Sequence, residues 1–161
     1  MTDKVPSSVI KAAKKIKLLL LDVDGVLTDG RLYYGNNGEE MKAFNIQDGL
    51  GIKLLQRAEV QVGIITGRVS TLLERRATEL GIHPVVQGRE DKLTALQELM
   101  QTMDINLDEI AFVGDDLPDL AVIRRVGLGI TPANGKVRCL LRRTGKPASE
   151  AVMERSAKSP K

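Results

Sequence analysis

The chain has 161 residues, of which 42% are hydrophobic and 2% aromatic, and it contains a single Cys, Cys139, and no Trp. This length and apolar content suffice for one domain with a hydrophobic core. The scarcity of aromatic side chains argues against a base-stacking surface for single-stranded nucleic acid, and one Cys excludes an internal disulfide and a zinc cluster. Because we find no secretory signal and no apolar stretch long enough to cross a bilayer, we expect a cytoplasmic protein with no membrane partner.

The net charge of +3 is divided unevenly along the chain. Residues 136–161 carry eight Lys or Arg and two Glu, a net charge of +6, which leaves −3 for residues 1–135. A nucleic-acid-binding footprint is expected on a folded face or along a helix, and a terminal tail provides neither. We therefore expect no nucleic-acid partner.

Helix-like and strand-like segments alternate along the chain. Residues 7–15 have the spacing of a short helix with Val9, Ile10 and Ala13 facing inward. Turn formers between β-prone flanks in residues 31–44 predict a hairpin. Strands are predicted at residues 16–22, 61–65, 85–87, 110–114 and 128–130, and further helices at 48–58, 69–80, 91–103 and 120–125.

Repeated strand and helix units of this kind imply a parallel sheet with helices on both faces. We therefore predict an α/β protein with a doubly wound, Rossmann-like parallel sheet. In such a sheet the ligand site lies beyond the carboxyl ends of the strands. The chemically suggestive residues of this chain fall at those ends.

Two acidic clusters follow predicted core strands. Asp22 and Asp24 close the first apolar run, and the segment GDDLPD (114–119) closes another. Carboxylates near a core are costly unless a cation or hydrogen-bond donors compensate them, so the two clusters suggest a shared metal. If the first strand continues through Val23, both acids project to one side, and Gly25 permits the sharp exit that follows.

These residue types suit phosphoryl transfer. A strand-end carboxylate beside a divalent cation can attack phosphorus, and a second acid two residues on can protonate the leaving oxygen. Asp115, from a different strand end, completes an oxygen-rich ligand set suited to Mg²⁺. No His or Cys ligand is needed.

Two further segments suit a phosphate group. The segment IITGR (64–68) ends a strand in a Thr hydroxyl and a Gly amide, followed by Arg68, and such groups bind phosphate oxygens. Lys92 opens a predicted helix and supplies positive charge for the nucleophile and the phosphoryl oxygens.

The segments DVDGVLTDG (22–30), IITGR and GDDLPD, together with Lys92, occur in the order and spacing of the four motifs of haloacid dehalogenase superfamily phosphatases, which the chain resembles. Within that superfamily, residues 35–55 and 126–135 resemble the sugar-acid phosphatases. The resemblance implies a fold without a large cap domain, covered only by a small β-hairpin flap. It also implies Mg²⁺-dependent hydrolysis of 3-deoxy-D-manno-octulosonate 8-phosphate in lipopolysaccharide synthesis.

The resemblance assigns roles by position. Asp22 is the implied nucleophile that forms an aspartyl-phosphate, and Asp24 is the acid that protonates the sugar oxygen and then the base that activates water. Asp22, the backbone carbonyl of Asp24, and Asp115 are the implied Mg²⁺ ligands. Asp116 is expected to support the metal through water or hydrogen bonds.

Substrate contacts are also implied by the resemblance. Thr66 and Lys92 are expected to fix the phosphoryl group, and Asp24 lies beside it. The resemblance further implies a homotetramer in which the hairpin near residues 33–40 covers a neighbour's site. The remaining expected substrate-binding residues are Asn45, Ile46, Gln47, Asp48, Gly49, Lys53, Arg68 and Arg76.

The chain departs from the family pattern after Gly135. Relatives continue with another strand and a Gly-rich segment, whereas residues 136–161 have lost apolar periodicity. They read as an altered reading frame or as a divergent, disordered basic tail. We therefore expect a phosphatase domain at residues 1–135 and a separate tail at 136–161.

Several alternatives remain open from the sequence. Asp119 fits a helix-start acid as well as a role in the site, and Asp29 fits a turn. A phosphatase of a sialic-type sugar-acid phosphate and a catalytically impaired relative share the same motifs. A phosphoacceptor receiver domain also gathers Asp, Thr and Lys at strand ends, but its motif order differs, since its acceptor Asp lies in the middle of the chain.

Overall fold

The computed structural model describes residues 5–133 and 135, without the side chains of residues 39 and 40, so the predicted tail at 136–161 lies outside the described residues. The α-helices are α1 (Ser7–Ala13), α2 (Ile46–Arg57), α3 (Thr71–Leu80), α4 (Lys92–Thr102) and α5 (Leu120–Ile123). The strands are β1 (Leu18–Leu21), β2 (Tyr33–Gly35), β3 (Gly38–Met41), β4 (Gln61–Ile65), β5 (Val85–Val86), β6 (Ile110–Val113) and β7 (Leu128–Ile130). Short 3₁₀ turns lie at Leu107–Glu109 and Leu117–Asp119.

Five parallel strands form the central sheet in the order β5-β4-β1-β6-β7. The middle strand β1 aligns Leu21 with Ile64 of β4 and with Val113 of β6. The carboxyl ends of these three strands therefore meet at one edge of the sheet. The prediction of a doubly wound parallel sheet is confirmed.

The core lies on both faces of this sheet. Alternate side chains of a strand point to opposite faces, and Leu20 accordingly packs with Leu96 and Val122 of α4 and α5. Leu21 packs on the other face with Leu73 of α3 and Ile52 of α2. Each such leucine or isoleucine contributes about 1.5–3 kcal/mol when fully buried, so both helix layers anchor the strand ends.

Helix α1 forms where predicted, but its predicted inward face is partly wrong. Val9 is buried, whereas Ile10 is 47% exposed and Ala13 is exposed. The buried Val9 packs instead with Ala12 and Ile16, beside Leu128 and Ile130 of β7. Val9 and Ala12, three residues apart, share one face of α1, and Ile16 lies beyond the end of that helix. The edge strand β7 selects this face.

Local capping contacts explain where two of the helices begin or end. Helix α2 begins at Ile46, two residues early, because Oδ1 of Asn45 accepts a hydrogen bond from Gln47 N at 2.8 Å and caps the helix. Helix α3 ends at Gly81 as predicted, with φ of 66°, a left-handed conformation that glycine adopts without strain.

Strands β2 and β3 pair antiparallel and form the predicted hairpin outside the main sheet. It is the small β-hairpin flap expected of this fold class. Among the described residues, no helix has the length and apolar character required to span a bilayer.

Candidate active site

Asp22 follows directly after β1, which ends at Leu21, and its backbone N–H donates to the carbonyl of Val113 at 2.9 Å. Its carboxylate is buried and meets Nζ of Lys92 at 2.8 Å. The strand does not continue through Val23, whose side chain is fully buried in the core. Asp22 and Asp24 consequently meet different cations.

Lys92 is the first residue of α4, one residue after the predicted start, and its side chain is 4% exposed. Asp91 caps this helix by accepting from Thr94 N at 3.2 Å, and it also accepts from the Thr94 hydroxyl at 2.5 Å. The hydrogen bonds from the Thr94 hydroxyl and backbone lower the pKa of the Asp91 carboxyl. The Lys92 ammonium lies 2.6 Å from Oδ1 of Asp119 in addition to its contact with Asp22. One buried cation therefore joins the acids that follow two neighbouring strands.

The Asp119 side chain contacts Lys92 and also binds backbone groups of the turn after β6. It is 0% exposed, and its Oδ2 accepts from the backbone N–H of Asp115 at 3.0 Å and of Asp116 at 3.1 Å. A Cβ at Gly114 would lie 2.4 Å from Cβ of Asp119, so this close approach requires glycine. The Asp119 side chain therefore holds the backbone after β6 and contacts Lys92, and a catalytic role for Asp119 stays a prediction.

Carboxylate oxygens of Asp22, Asp115 and Asp119 lie within 4.8 Å of one another. Burial raises the pKa of the Asp115 carboxyl to about 6, assisted by the charges of Asp22 and Asp119. Burial also raises the pKa of Asp22, although Lys92 opposes that shift. Lys92 contacts two of these three acids, Asp22 and Asp119, so negative charge is in excess.

This group of acids fits a divalent cation. Oδ1 of Asp115 is buried and has no hydrogen-bond partner, which is the situation a metal ion would relieve. An all-oxygen set of carboxylates is the kind of site that Mg²⁺ prefers. A Cβ at Gly25 would lie 2.2 Å from Oδ2 of Asp115, so Gly25 leaves room for this carboxylate.

Asp116, predicted to support the metal, is placed at the start of the 3₁₀ turn. Its Oδ1 accepts from Leu117 N at 2.8 Å. Asp119 occupies the position within the acidic group instead. The supporting role of Asp116 and the metal contact through the Asp24 carbonyl stay predictions.

Asp24 meets two cations, one at each carboxylate oxygen. Nζ of Lys42 lies 2.6 Å from Oδ1, and Nε of Arg68 lies 3.8 Å from Oδ2. Arg68 also donates through Nη2 to the hydroxyl of Tyr34 on the flap at 3.0 Å. The sequence predicted Arg68 near the substrate but gave no sign of Lys42, since a lysine after a hairpin strand is usually solvated.

Thr66 follows β4 and is buried, with its Oγ1 3.5 Å from Arg68 N. Helix α3 starts only at Thr71, so Thr66 lies in a loop and not at a helix start. Gln87 steadies that loop because its Oε1 accepts from Ser70 N at 2.8 Å. The hydroxyl and the loop amides thus lie at the same sheet edge as Asp22.

Most of the predicted sugar-binding residues lie on α2 and α3. Asn45, Asp48, Gly49 and Arg76 line one pocket, and a Cβ at Gly49 would lie 2.7 Å from Nη2 of Arg76. Within the described part of the chain, this pocket is not lined by any of the predicted catalytic residues, which are Asp22, Asp24, Thr66 and Lys92. The remaining predicted contacts, all exposed, are Ile46, Gln47 and Lys53.

Comparison with known proteins places this geometry in a family. A model of the haloacid dehalogenase-like hydrolases matches residues 82–142. The chain is 48% identical over 130 residues to 3-deoxy-D-manno-octulosonate 8-phosphate phosphatase from Yersinia pestis, covering 81% of this chain and 70% of that protein. The identity to the Escherichia coli K12 phosphatase of the same name is also 48%, covering 81% and 69% of the two chains.

Solved structures agree with the sequence comparison. The crystal structure of the Yersinia pestis phosphatase superposes with a TM-score of 0.83 at 43% identity, covering 92% of this chain and 77% of that chain. The Moraxella catarrhalis phosphatase, solved in complex with a magnesium ion, a phosphate ion and a KDO molecule, gives a TM-score of 0.77 at 44% identity, covering 89% and 77%. This chain is therefore a phosphatase and belongs to the 3-deoxy-D-manno-octulosonate 8-phosphate phosphatase family of haloacid dehalogenase-like hydrolases.

Proposed function

We propose that this chain hydrolyses 3-deoxy-D-manno-octulosonate 8-phosphate through an aspartyl-phosphate on Asp22, with Mg²⁺ as cofactor. The observation that carries this proposal is the group formed by the buried residues Asp22, Lys92 and Asp119 and the half-buried Asp115 at the carboxyl edge of the sheet. Such a group combines a nucleophile with positive and metal-binding charge at one point, which is what phosphoryl transfer requires.

In the first half of the reaction, a carboxylate oxygen of Asp22 bonds to phosphorus while the bond from phosphorus to the sugar oxygen breaks. The electron pair of that bond goes to the sugar oxygen, which takes a proton from Asp24 and leaves as a hydroxyl. Lys92, 2.8 Å from Asp22, orients the nucleophile and neutralises phosphoryl charge. The hydroxyl of Thr66 donates to a phosphoryl oxygen.

In the second half, water attacks phosphorus and gives a proton to Asp24. The bond between Asp22 and phosphorus breaks, which frees phosphate and restores both carboxyl groups to their starting states. Mg²⁺ bound by Asp22, the Asp24 carbonyl and Asp115 supplies positive charge that offsets the charge of the phosphoryl oxygens. Asp119 maintains the site by holding Lys92 and the backbone around Asp115.

The substrate follows from the family and from the basic residues near the site. The Yersinia pestis and Escherichia coli relatives carry the name of this phosphatase, and the Moraxella catarrhalis structure contains KDO. Arg68 beside Asp24 and Arg76 beside Gly49 supply cations that match a carboxylate and a phosphate on one sugar. The reaction belongs to lipopolysaccharide synthesis, in a cytoplasmic setting that suits the single Cys139.

Residues 1–135 form the phosphatase domain in this proposal, and residues 136–161 form a separate tail outside the described residues.

The domain works in a homotetramer. One feature supports assembly, because α2 leaves an apolar stripe exposed. The stripe consists of Ile46, Leu50 and Leu54, which are 81%, 62% and 54% exposed and lie on one face at a four-residue spacing.

Replacing the nucleophile should abolish turnover. We expect Asp22→Asn to lower phosphate release from the octulosonate phosphate by at least about 10³-fold, because an amide does not form the covalent intermediate. Phosphate release over a panel of sugar-acid phosphates, including sialic-type esters, measures both activity and substrate preference. The matched control is Asp29→Asn, which changes an exposed turn acid. Wild-type turnover by Asp22→Asn would contradict the mechanism, and a preference for sialic-type esters would contradict the substrate.

The carboxylates of Asp22, Asp115 and Asp119 should make the thermal stability of the folded protein depend on both pH and Mg²⁺. The folded-state pKa of Asp115, about 6, lies above its usual value of 3.8, so the folded state binds more protons and stability of the metal-free protein falls as pH rises through that window. At about pH 7.5 without metal, Asp115→Asn should therefore raise the melting temperature by a few degrees. Mg²⁺ should stabilise the wild type at about pH 7.5 more than at about pH 5, where protons compete for Asp115.

Thermal unfolding followed by circular dichroism, with Mg²⁺ or EDTA, measures these shifts. Asp104→Asn, which changes an exposed acid near Lys17, is the control and should respond to Mg²⁺ like the wild type. An Asp115→Asn protein that Mg²⁺ stabilises as strongly as the wild type would refute the placement of the metal.

The oligomer is tested through the exposed stripe of α2. The double change Leu50→Glu and Leu54→Glu should convert the tetramer to smaller species, because two charges would be buried at the contact. Light scattering after size exclusion measures the mass. Val5→Glu, at an exposed site in the chain's first described residues, should leave the mass unchanged. A wild-type mass equal to one chain at micromolar concentration would overturn the tetramer.

A further inference from the structure

Lys42 directly follows strand β3 of the flap, yet its side chain is only 2% exposed. Its Nζ lies 2.6 Å from Oδ1 of Asp24. Taking an ammonium group out of water is costly unless a carboxylate and good geometry compensate it. The flap therefore places a buried positive charge on the residue proposed to move the proton.

The two oxygens of Asp24 are held differently. Oδ1 receives the short, buried contact from Lys42, whereas Oδ2 has Arg68 Nε at 3.8 Å, beyond hydrogen-bond range. Arg68 is partly exposed and is also bound to the hydroxyl of Tyr34. Oδ1 is thus held by a short contact with a buried cation, and Oδ2 has only the longer contact with a partly exposed cation.

The same chemical arrangement occurs at the other acid. Lys92 is buried against Oδ1 of Asp22, as Lys42 is buried against Oδ1 of Asp24. The first lysine comes from a helix that packs on the sheet, and the second comes from the flap. Each acid of the proposed reaction therefore has one oxygen in contact with a buried lysine.

Building on the proposed function, we propose that Lys42 is a positioning residue that fixes Oδ1 of Asp24 and so assigns proton transfer to Oδ2. As the bond from phosphorus to the sugar oxygen breaks, its electron pair goes to that oxygen, which takes the proton from Oδ2. When water later bonds to phosphorus and the bond to Asp22 breaks, the proton of the water returns to Oδ2. The flap then contributes to proton transfer through Lys42.

The test compares two leaving groups in the Lys42→Met variant of the full chain. A sugar alkoxide needs a proton as it leaves, whereas p-nitrophenolate leaves without one at neutral pH. In single-turnover measurements with enzyme in excess, Lys42→Met should slow release of the sugar from the octulosonate phosphate about 10- to 100-fold. Release of p-nitrophenol from p-nitrophenyl phosphate should stay within about threefold of the wild type, and KM for the sugar phosphate should change little.

Two further variants sharpen the comparison. Asp24→Asn should reproduce the same dependence on the leaving group, because it removes the proton donor itself. Lys17→Met deletes an ammonium from an ion pair with Glu109 at the other end of β1, and both release rates should match the wild type. Circular dichroism verifies folding, and if Lys42→Met does not fold, Lys42→Gln is measured in its place with the same expected dependence.

Equal slowing of both substrates by the folded Lys42 variant would overturn the proposal, since that result indicates a general structural role. Unchanged release of the sugar would overturn it as well. Neither result affects the proposed function, which fails separately if the wild type does not release phosphate or if Asp22→Asn remains active.

Discussion

The ammonium group of Lys92, buried between Asp22 and Asp119, is the contact on which the rest of the site depends. It joins the end of β1, the start of α4 and the turn after β6. An uncompensated buried charge costs several kcal/mol, so loss of this lysine would leave three neighbouring carboxylates to repel one another. The same excess of acid over lysine gives the site its affinity for a divalent cation.

Asp24 also contacts a buried lysine, which follows the hairpin flap. The hairpin supplies Lys42, buried against Oδ1, and Tyr34, which holds Arg68 beside Oδ2. The small hairpin thus supplies two of the side chains around Asp24 and Arg68. Of the residues proposed to bind the sugar, Arg68 lies beside Asp24, whereas Asp48, Gly49 and Arg76 line a pocket on α2 and α3.

The strands, the sheet and the gathering of Asp22, Lys92 and Asp115 were predictable, because long apolar runs and strand-end acids are local patterns that a parallel sheet brings to one edge. The inner face of α1 was not, since the position of β7 selects it. Likewise, Asp119 and Lys42 owe their roles to burial. Nothing in the pattern of a turn acid or a hairpin lysine shows whether tertiary packing removes it from water.

The most direct test is a crystal structure of the full chain with Mg²⁺ and beryllium fluoride, which mimics a phosphoryl group on a carboxylate. We expect beryllium bonded to Asp22, fluorine atoms in contact with Lys92 and Thr66, and Mg²⁺ held by Asp22 and Asp115. Beryllium fluoride bonded to another residue, or Mg²⁺ bound away from Asp115, would contradict the proposed mechanism.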